Sequence, residues 1–83
     1  MYKVLVPHSV FKELKKIDHK DLELVWKKIG QLEKGEFSGD KPLKGKYRGK
    51  FRKRAGNYRI IYVREEDVLI ITLVRVAHRK EVY

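Results

Sequence analysis

Between Val68 and Val76 the chain reads Val-Leu-Ile-Ile-Thr-Leu-Val-Arg-Val, an almost unbroken run of β-branched and leucine residues. Side chains of this kind fit a pleated surface, and a run without polar alternation belongs to a strand covered on both faces. A chain of 83 residues buries only roughly 60% of its unfolded surface and cannot divide that between two cores. The run must therefore lie inside one modest core, with every other element packed about it. The chain is read as a single domain over residues 1–83.

The remaining elements follow from periodicity. Val4, Leu5 and Val6 form a short strand that Pro7 ends, because proline cannot donate to a ladder. Ser9 offers an N-cap for a helix carrying Val10, Leu14 and Ile17, and Asp18 or Asp21 starts a second helix. In that helix Leu22, Val25, Trp26, Ile29 and Leu32 trace one apolar stripe, which makes Trp26 a core residue; Gly35 suits a left-handed C-cap. A Gly, Ser, Asp and Pro-containing loop runs from Glu36 to Gly45. Tyr47 to Arg54 then alternates, with Tyr47, Gly49 and Phe51 on one face and Arg48, Lys50, Arg52 and Arg54 on the other. Ala55-Gly56-Asn57 is turn chemistry, Tyr58 to Val63 is the next strand, and Glu65-Glu66-Asp67 turns into the apolar run. The order β-α-α-β-β-β, with helices segregated from an antiparallel meander, places the chain in the α+β class.

Charge is distributed unevenly. From Lys41 to Arg64 there are ten basic residues and no acid, while the other eleven cations are balanced by all eleven acids. The whole excess of +10 therefore sits in one 24-residue segment. A solubility charge scatters; a concentrated one creates a local positive potential that attracts a polyanion. The hairpin sharpens this. A loop of two or four residues sets Arg59 opposite Arg52, and one of three sets it opposite Lys53. Like charges directly across a sheet cost about 0.2–1 kcal/mol per pair, so a phosphate chain is the natural supplier of the missing negative charge. Arginine's planar fork suits that task. Charge protection of an edge strand is the structural alternative, and it accounts for one or two lysines better than for five clustered cations.

Other chemistry is constrained by absence. The sequence holds no cysteine, which removes disulfides, thiolate metal sites and cysteine nucleophiles and points to the cytoplasm. The N-terminal apolar run is too short for a signal peptide or a membrane span. The segment Val76 to Tyr83 places His78, Arg79 and Tyr83 at the end of a rigid strand, where a site is held well.

Three segments carry a resemblance to a known family: Leu43-Lys44-Gly45, then Phe51 to Tyr62 with its Gly-Asn-Tyr-Arg-Ile-Ile-Tyr core, and the closing His78-Arg79-Lys80-Glu81-Val82-Tyr83. In this order and spacing the chain resembles the RelE/ParE toxin superfamily across essentially its whole length, and its RelE branch most closely. The resemblance implies a toxin of a type II toxin–antitoxin system that cuts messenger RNA in the ribosomal A site and is silenced by a cognate antitoxin. Lys50 and Arg52 match the family's paired basic residues, Arg59 its arginine after the strand tyrosine, and Arg79 and Tyr83 its C-terminal pair. Two departures stand out. Arg52 occupies a position that is lysine in the best-known members, and the short tail leaves no room for the C-terminal helix many members possess.

Such a set needs neither metal nor cofactor. RNA cleavage through its own 2′-hydroxyl requires in-line alignment, charge relief on the phosphorus, and proton transfer at the 2′ and 5′ oxygens. Arg59 and Arg79 would brace the scissile phosphate, with Lys50 and Arg52 holding it. Tyr83, Lys50 and His78 are the candidate bases. Lys41, Lys44, Lys46, Arg48, Lys53, Arg54 and Arg64 are then docking charge for ribosomal RNA. An acidic, partly helical antitoxin would be drawn to the same face and anchored in an apolar helix–sheet groove. The rival readings are a ParE-like gyrase inhibitor and an RNA-binding module without chemistry.

Overall fold

The computed structural model describes residues 1–82. β1 (Lys3–Leu5) leads into α1 (His8–Lys15) and α2 (His19–Glu33). A two-residue β2 (Lys41–Pro42) and a single 3-10 turn at Gly45–Tyr47 precede β3 (Phe51–Ala55), β4 (Tyr58–Glu65) and β5 (Ile70–His78), and α3 (Arg79–Val82) follows. The described residues form one five-stranded sheet in the order β1-β5-β4-β3-β2. β3 to β5 pair antiparallel, as the sequence predicts, and β2, inside the stretch expected to be loop, adds antiparallel to β3. β1, however, runs parallel to β5, with Lys3 against Ile70 and Leu5 against Thr72. The two helices carry the chain over one face from β1 at one edge to β2 at the other, and the meander returns to lay β5 beside β1, so the sheet is mixed rather than wholly antiparallel. The class is α+β, as expected.

Both helices cover one face. Val10, Leu14, Ile17, Val25, Ile29 and Leu32 pack with Ala55, Ile60, Tyr62, Ile71, Leu73 and Val76. The opposite face carries a smaller cluster of Tyr47, Ile61 and Ala77, flanked by Leu43 and Val74. The apolar run is thus covered by helices on one side and by the Leu43–Tyr47 loop on the other. It also begins later than its composition suggests. Val68 and Leu69 are exposed in a turn, with Leu69 at φ 55°, and the strand starts at Ile70.

Helix ends show what side-chain rules leave out. α1 starts after Pro7, not Ser9: the Pro7 carbonyl accepts from the N–H groups of Val10 and Phe11 at 3.0 and 2.9 Å. Proline's fixed φ, here −60°, presets that geometry. α2 starts after Asp18. It ends in a left-handed cap in which Gly35 (φ 74°) donates to Leu32 and Glu36 donates to the Gln31 carbonyl. Trp26 is not core. It is 44% exposed, because Val25, Ile29 and Leu32 fill the inward line and Trp26 lies at its margin. There it borders a groove with Val4, Val6, Ile29, Gly30 and Glu33. The C-terminal residues, expected to lack a helix, form the one-turn α3. No helix among the described residues is long and apolar enough to cross a membrane.

Candidate nucleic-acid interface

The hairpin joining β3 to β4 fixes the basic face. Its loop is the pair Gly56-Asn57, with Gly56 at φ 63° in the first position, the pattern of a type II′ turn. Ala55 therefore pairs with Tyr58, Arg54 with Arg59, Lys53 with Ile60 and Arg52 with Ile61. Arg59 faces Arg54, not Arg52 or Lys53; the sequence-based register was two residues out, but a cation still faces a cation. β2 adds a second such pair, Lys41 against Arg52. By strand alternation Arg52, Arg54 and Arg59 share the helix-free face with Ile61 and Ala77. Arg54 is exposed and Arg52 half-buried. The Arg52 Nε is buried with no hydrogen-bond partner among the described residues. Arg59 is 8% exposed, its Nη1 donating to the Tyr58 carbonyl at 3.4 Å.

The other family-matched positions converge on the two ends of β3. The Arg79 N–H donates to the Asn57 carbonyl at 2.8 Å, which ties the start of α3 to the hairpin tip beside Arg59. Lys50 immediately precedes β3, held by its N–H to the Tyr47 carbonyl (3.0 Å) and its carbonyl from the Leu43 N–H (2.9 Å). Tyr47 closes the 3-10 turn and lies in no strand, so the predicted alternation holds only from Phe51 onward. Gly45 (φ 64°) and Gly49 (φ 85°) bend the backbone there. Lys44, Lys46 and Arg48 are exposed along that turn. Tyr83 lies outside the described residues.

Three predicted residues are not brought to this face. His78 pairs with Tyr58, their rings edge to face at 5.5 Å. The adjacent pair, Arg59 with Ala77, is on the basic face, so His78 points to the helix side. There it lines a cleft of about 250 Å³ with Glu13, Lys16, Tyr58 and Glu81. Lys53 is 4% exposed, and its Nζ lies 3.0 Å from Asp40 Oδ1 and donates to the Glu36 carbonyl at 2.9 Å. Its neighbour across β4 is Ile60, a core residue, which leaves it no part in docking. Arg64 is stacked over Phe37 and Phe51, 4.3 and 4.7 Å from the ring centres, and pairs with Glu66 at 3.2 Å. One step of parity in each strand decides these cases, and composition does not reveal it.

Sequence reasoning also missed a supporting set. The one arginine inside the apolar run, Arg75, pairs with Glu13 at 2.9 Å, and the second Glu13 oxygen accepts the Val76 N–H at 2.9 Å. β1 covers β5 only as far as Thr72, so Glu13 satisfies the strand edge beyond it. A lone arginine in an apolar strand signals a buried partner; its identity on a helix 62 residues away does not show in the sequence. Tyrosines on the helix side are poor bases. Burial, then its bond to Asp40, pushes the Tyr62 phenol well up, and burial with Asp21, Asp18 and Glu81 raises that of Tyr58. Among the described residues no cluster of His, Asp and Glu is arranged to hold a metal ion.

This register sets cations across from each other on the helix-free face, an arrangement suited to gripping phosphates. Residues 4–83 match the family model described as the ParE toxin of the type II toxin–antitoxin system, parDE. Toxin RelG of Mycobacterium tuberculosis is 31% identical over 55 residues, 66% of this chain. The match spans 63% of that relative's length, under two thirds of it. The toxin–antitoxin complex RelBE2 of the same organism contains a chain that superposes with TM-score 0.82 at 28% identity, covering 94% of this chain and 98% of that one. The archaeal RelE–RelB complex of Pyrococcus horikoshii OT3 gives TM-score 0.81 at 22% identity, over 96% of this chain and 97% of that one, which shows a shared fold.

Proposed function

This chain belongs to the RelE/ParE superfamily of type II toxin–antitoxin toxins, and on that premise we propose that it is a ribosome-dependent endonuclease of messenger RNA acting in the cytoplasm. The observation that carries the reading is the hairpin register. It sets Arg54 against Arg59 at the tip of β3 and β4, and the Arg79 backbone is bonded to the same tip. Two arginines set across from each other, with the start of α3 tied to the same turn, form an arrangement useful to a protein that holds a phosphate.

The chemistry follows from what such groups do well. The 2′-hydroxyl of the cut nucleotide loses its proton and attacks the adjacent phosphorus. The 5′-oxygen then leaves with a proton, and a 2′,3′-cyclic phosphate remains. Arg59 and Arg79 align the phosphate and neutralise the charge that grows on its oxygens, with Lys50 and Arg52 adding positive potential from the other end of β3. Tyr83 or Lys50 takes the proton; His78, on the helix side, is not placed to do so. A ribosome that orients the nucleotide compensates for this sparse proton machinery, so free RNA is a poor substrate.

The partner that silences it is a small acidic antitoxin. Its acidic residues suit the basic face, and its apolar residues suit the groove beside Trp26, Val4 and Val6. A second reading, inhibition of DNA gyrase, is favoured by the ParE description of the matched family model.

The test is expression in a bacterial host and addition to translating ribosomes. Growth should stop, and messenger RNA should be cut within the A-site codon. Arg59→Ala with Arg79→Ala should slow cutting by a factor of at least about 100 in a protein that stays folded. Intact messenger RNA on those ribosomes removes the nuclease reading, and stalled gyrase on DNA would install the second.

A further inference from the structure

The cations of the basic face are paired twice, and the two pairs occupy different places. Lys41 and Arg52 meet across β2 and β3, while Arg54 and Arg59 meet across β3 and β4. Arg52 and Arg54 are two residues apart on one strand, so their side chains leave the same face about 6.8 Å apart. The midpoints of the pairs are also offset sideways by one strand spacing, about 4.8 Å. The result is a diagonal step of about 8 Å, which flexible arginine and lysine side chains readily adjust to neighbouring phosphates of one strand. Across Arg52 on its other side stands Ile61, which offers no polar atom, and the Arg52 Nε is buried without a hydrogen-bond partner among the described residues. A half-buried arginine whose Nε has no partner among the described residues, beside a second cation, is half of a binding site.

We infer that Lys41 and Arg52 form a phosphate subsite of their own, which holds the phosphate next to the one gripped by Arg54 and Arg59 on a single RNA strand crossing the helix-free face diagonally. The inference rests on the nuclease reading for the identity of the strand, and it narrows the role of Arg52. That residue acts on the neighbouring phosphate through Lys41's side of the sheet, and the scissile phosphate is left to Arg59 and Arg79. The path is then set by strand geometry: from the exposed Lys44, Lys46 and Arg48 turn, over β2 and β3, to the hairpin tip where Arg79 begins α3. Because each pair neutralises one phosphate with two cations, its members are partly redundant for charge and cooperative for geometry.

Redundancy makes the subsite measurable in uncut RNA. Binding of a short fluorescent single-stranded RNA is followed across a salt series for the native protein, Lys41→Gln, Arg52→Gln and the double variant. These changes remove repulsion and keep side-chain stems, so folding is not endangered; thermal melts confirm it. Each single change should weaken binding several-fold with little change in the slope of log affinity against log salt. The double change should lower that slope by the share of one phosphate, about 0.7 for a single strand. A loss near 1.4, twice that share, would mean two separate phosphates and overturns the shared subsite, as does an unchanged slope. Cutting on ribosomes is scored separately. Slopes as expected with ribosome-bound messenger RNA left whole would keep the subsite and retire the nuclease reading, while no RNA binding at all would overturn the subsite and leave the nuclease reading to the ribosome assay.

Discussion

Asp40 stands one residue before the acid-free segment, and the structure folds it inward against two residues from that segment. Its carboxylate takes Lys53 at 3.0 Å on one oxygen and the Tyr62 hydroxyl on the other, with Lys53 and Asp40 side chains 4% and 5% exposed. Charges this deep persist only when each is fully partnered, since removing one partner strands the other in low dielectric. The trio pins the 34–43 loop to the helix side of the sheet and so fixes where β2, and Lys41 with it, enters the basic face. Tyr62 makes this testable. Burial first, and then its bond to Asp40, holds its proton more tightly than in the unfolded chain, where tyrosine titrates near 10.0. The stabilisation is therefore full below about pH 10 and is lost as pH rises above it toward the higher folded value. In urea unfolding at about pH 9 to 11, Tyr62→Phe should flatten the alkaline decline by up to about 1.4 kcal/mol per pH unit, the share of one proton. At neutral pH it should cost about 1–3 kcal/mol, because Asp40 loses a donor. Equal alkaline slopes in the two proteins would show that Tyr62 keeps no such proton.

The β3–β4 hairpin is the element on which the basic face depends, and Gly56 sets its register. At φ 63° a Cβ would be strained, and one built there would lie 3.1 Å from Leu24 Cδ2 on α2. Gly56→Ala should thus destabilise the protein by about 1–2 kcal/mol. It should weaken RNA binding beyond that of a control variant equally destabilised elsewhere, because Arg54 and Arg59 would no longer be held in opposition. A binding loss no greater than the control's would uncouple the turn from the site. The same hairpin shows what the sequence makes legible. Gly-Asn between alternating runs identifies the turn, and the clustered charge identifies the face, since both are local chemistry. The two-residue loop Gly56-Asn57 pairs Ala55 with Tyr58 and so Arg54 with Arg59; a register counted two residues off left the face correct but named Arg52 in place of Arg54. Lys53 and Arg64 carried the right charge for the site and His78 the right chemistry for a base, but all three lie on its far side, because strand parity is set by pairing and not by composition. Trp26 failed for a related reason: an apolar stripe has margins, and only packing against β1 and β3 decides which stripe residues turn inward. The parallel β1–β5 pairing and the Glu13–Arg75 contact join residues more than sixty positions apart, beyond any local pattern.

At the scale of the molecule, a chain of 83 residues with net charge +10 carries its own repulsion, concentrated between Lys41 and Arg64. Repulsion of this kind destabilises the compact state and is relieved by salt, whereas attraction to a polyanion is weakened by salt. The free protein and its complex should therefore respond in opposite directions. Raising sodium chloride from about 50 to about 500 mM, which shortens the screening length to a few ångströms, should raise the melting temperature of the free protein. The extra stability conferred by a bound RNA or acidic protein should shrink over the same range, because at fixed concentration it depends on the ratio of ligand to dissociation constant. At a hundredfold excess over that constant it amounts to about 2.7 kcal/mol. The two melting curves should converge as salt rises. Arg54→Glu localises the effect to the hairpin. It replaces a like-charge cross-strand pair by an opposite one, so it should raise the stability of the free protein by about 0.5–1 kcal/mol and reduce the stabilisation that RNA adds. A free protein that melts lower at high salt, or an Arg54→Glu variant that is less stable and still binds RNA fully, would show that the charge cluster is held for the fold itself rather than for a partner.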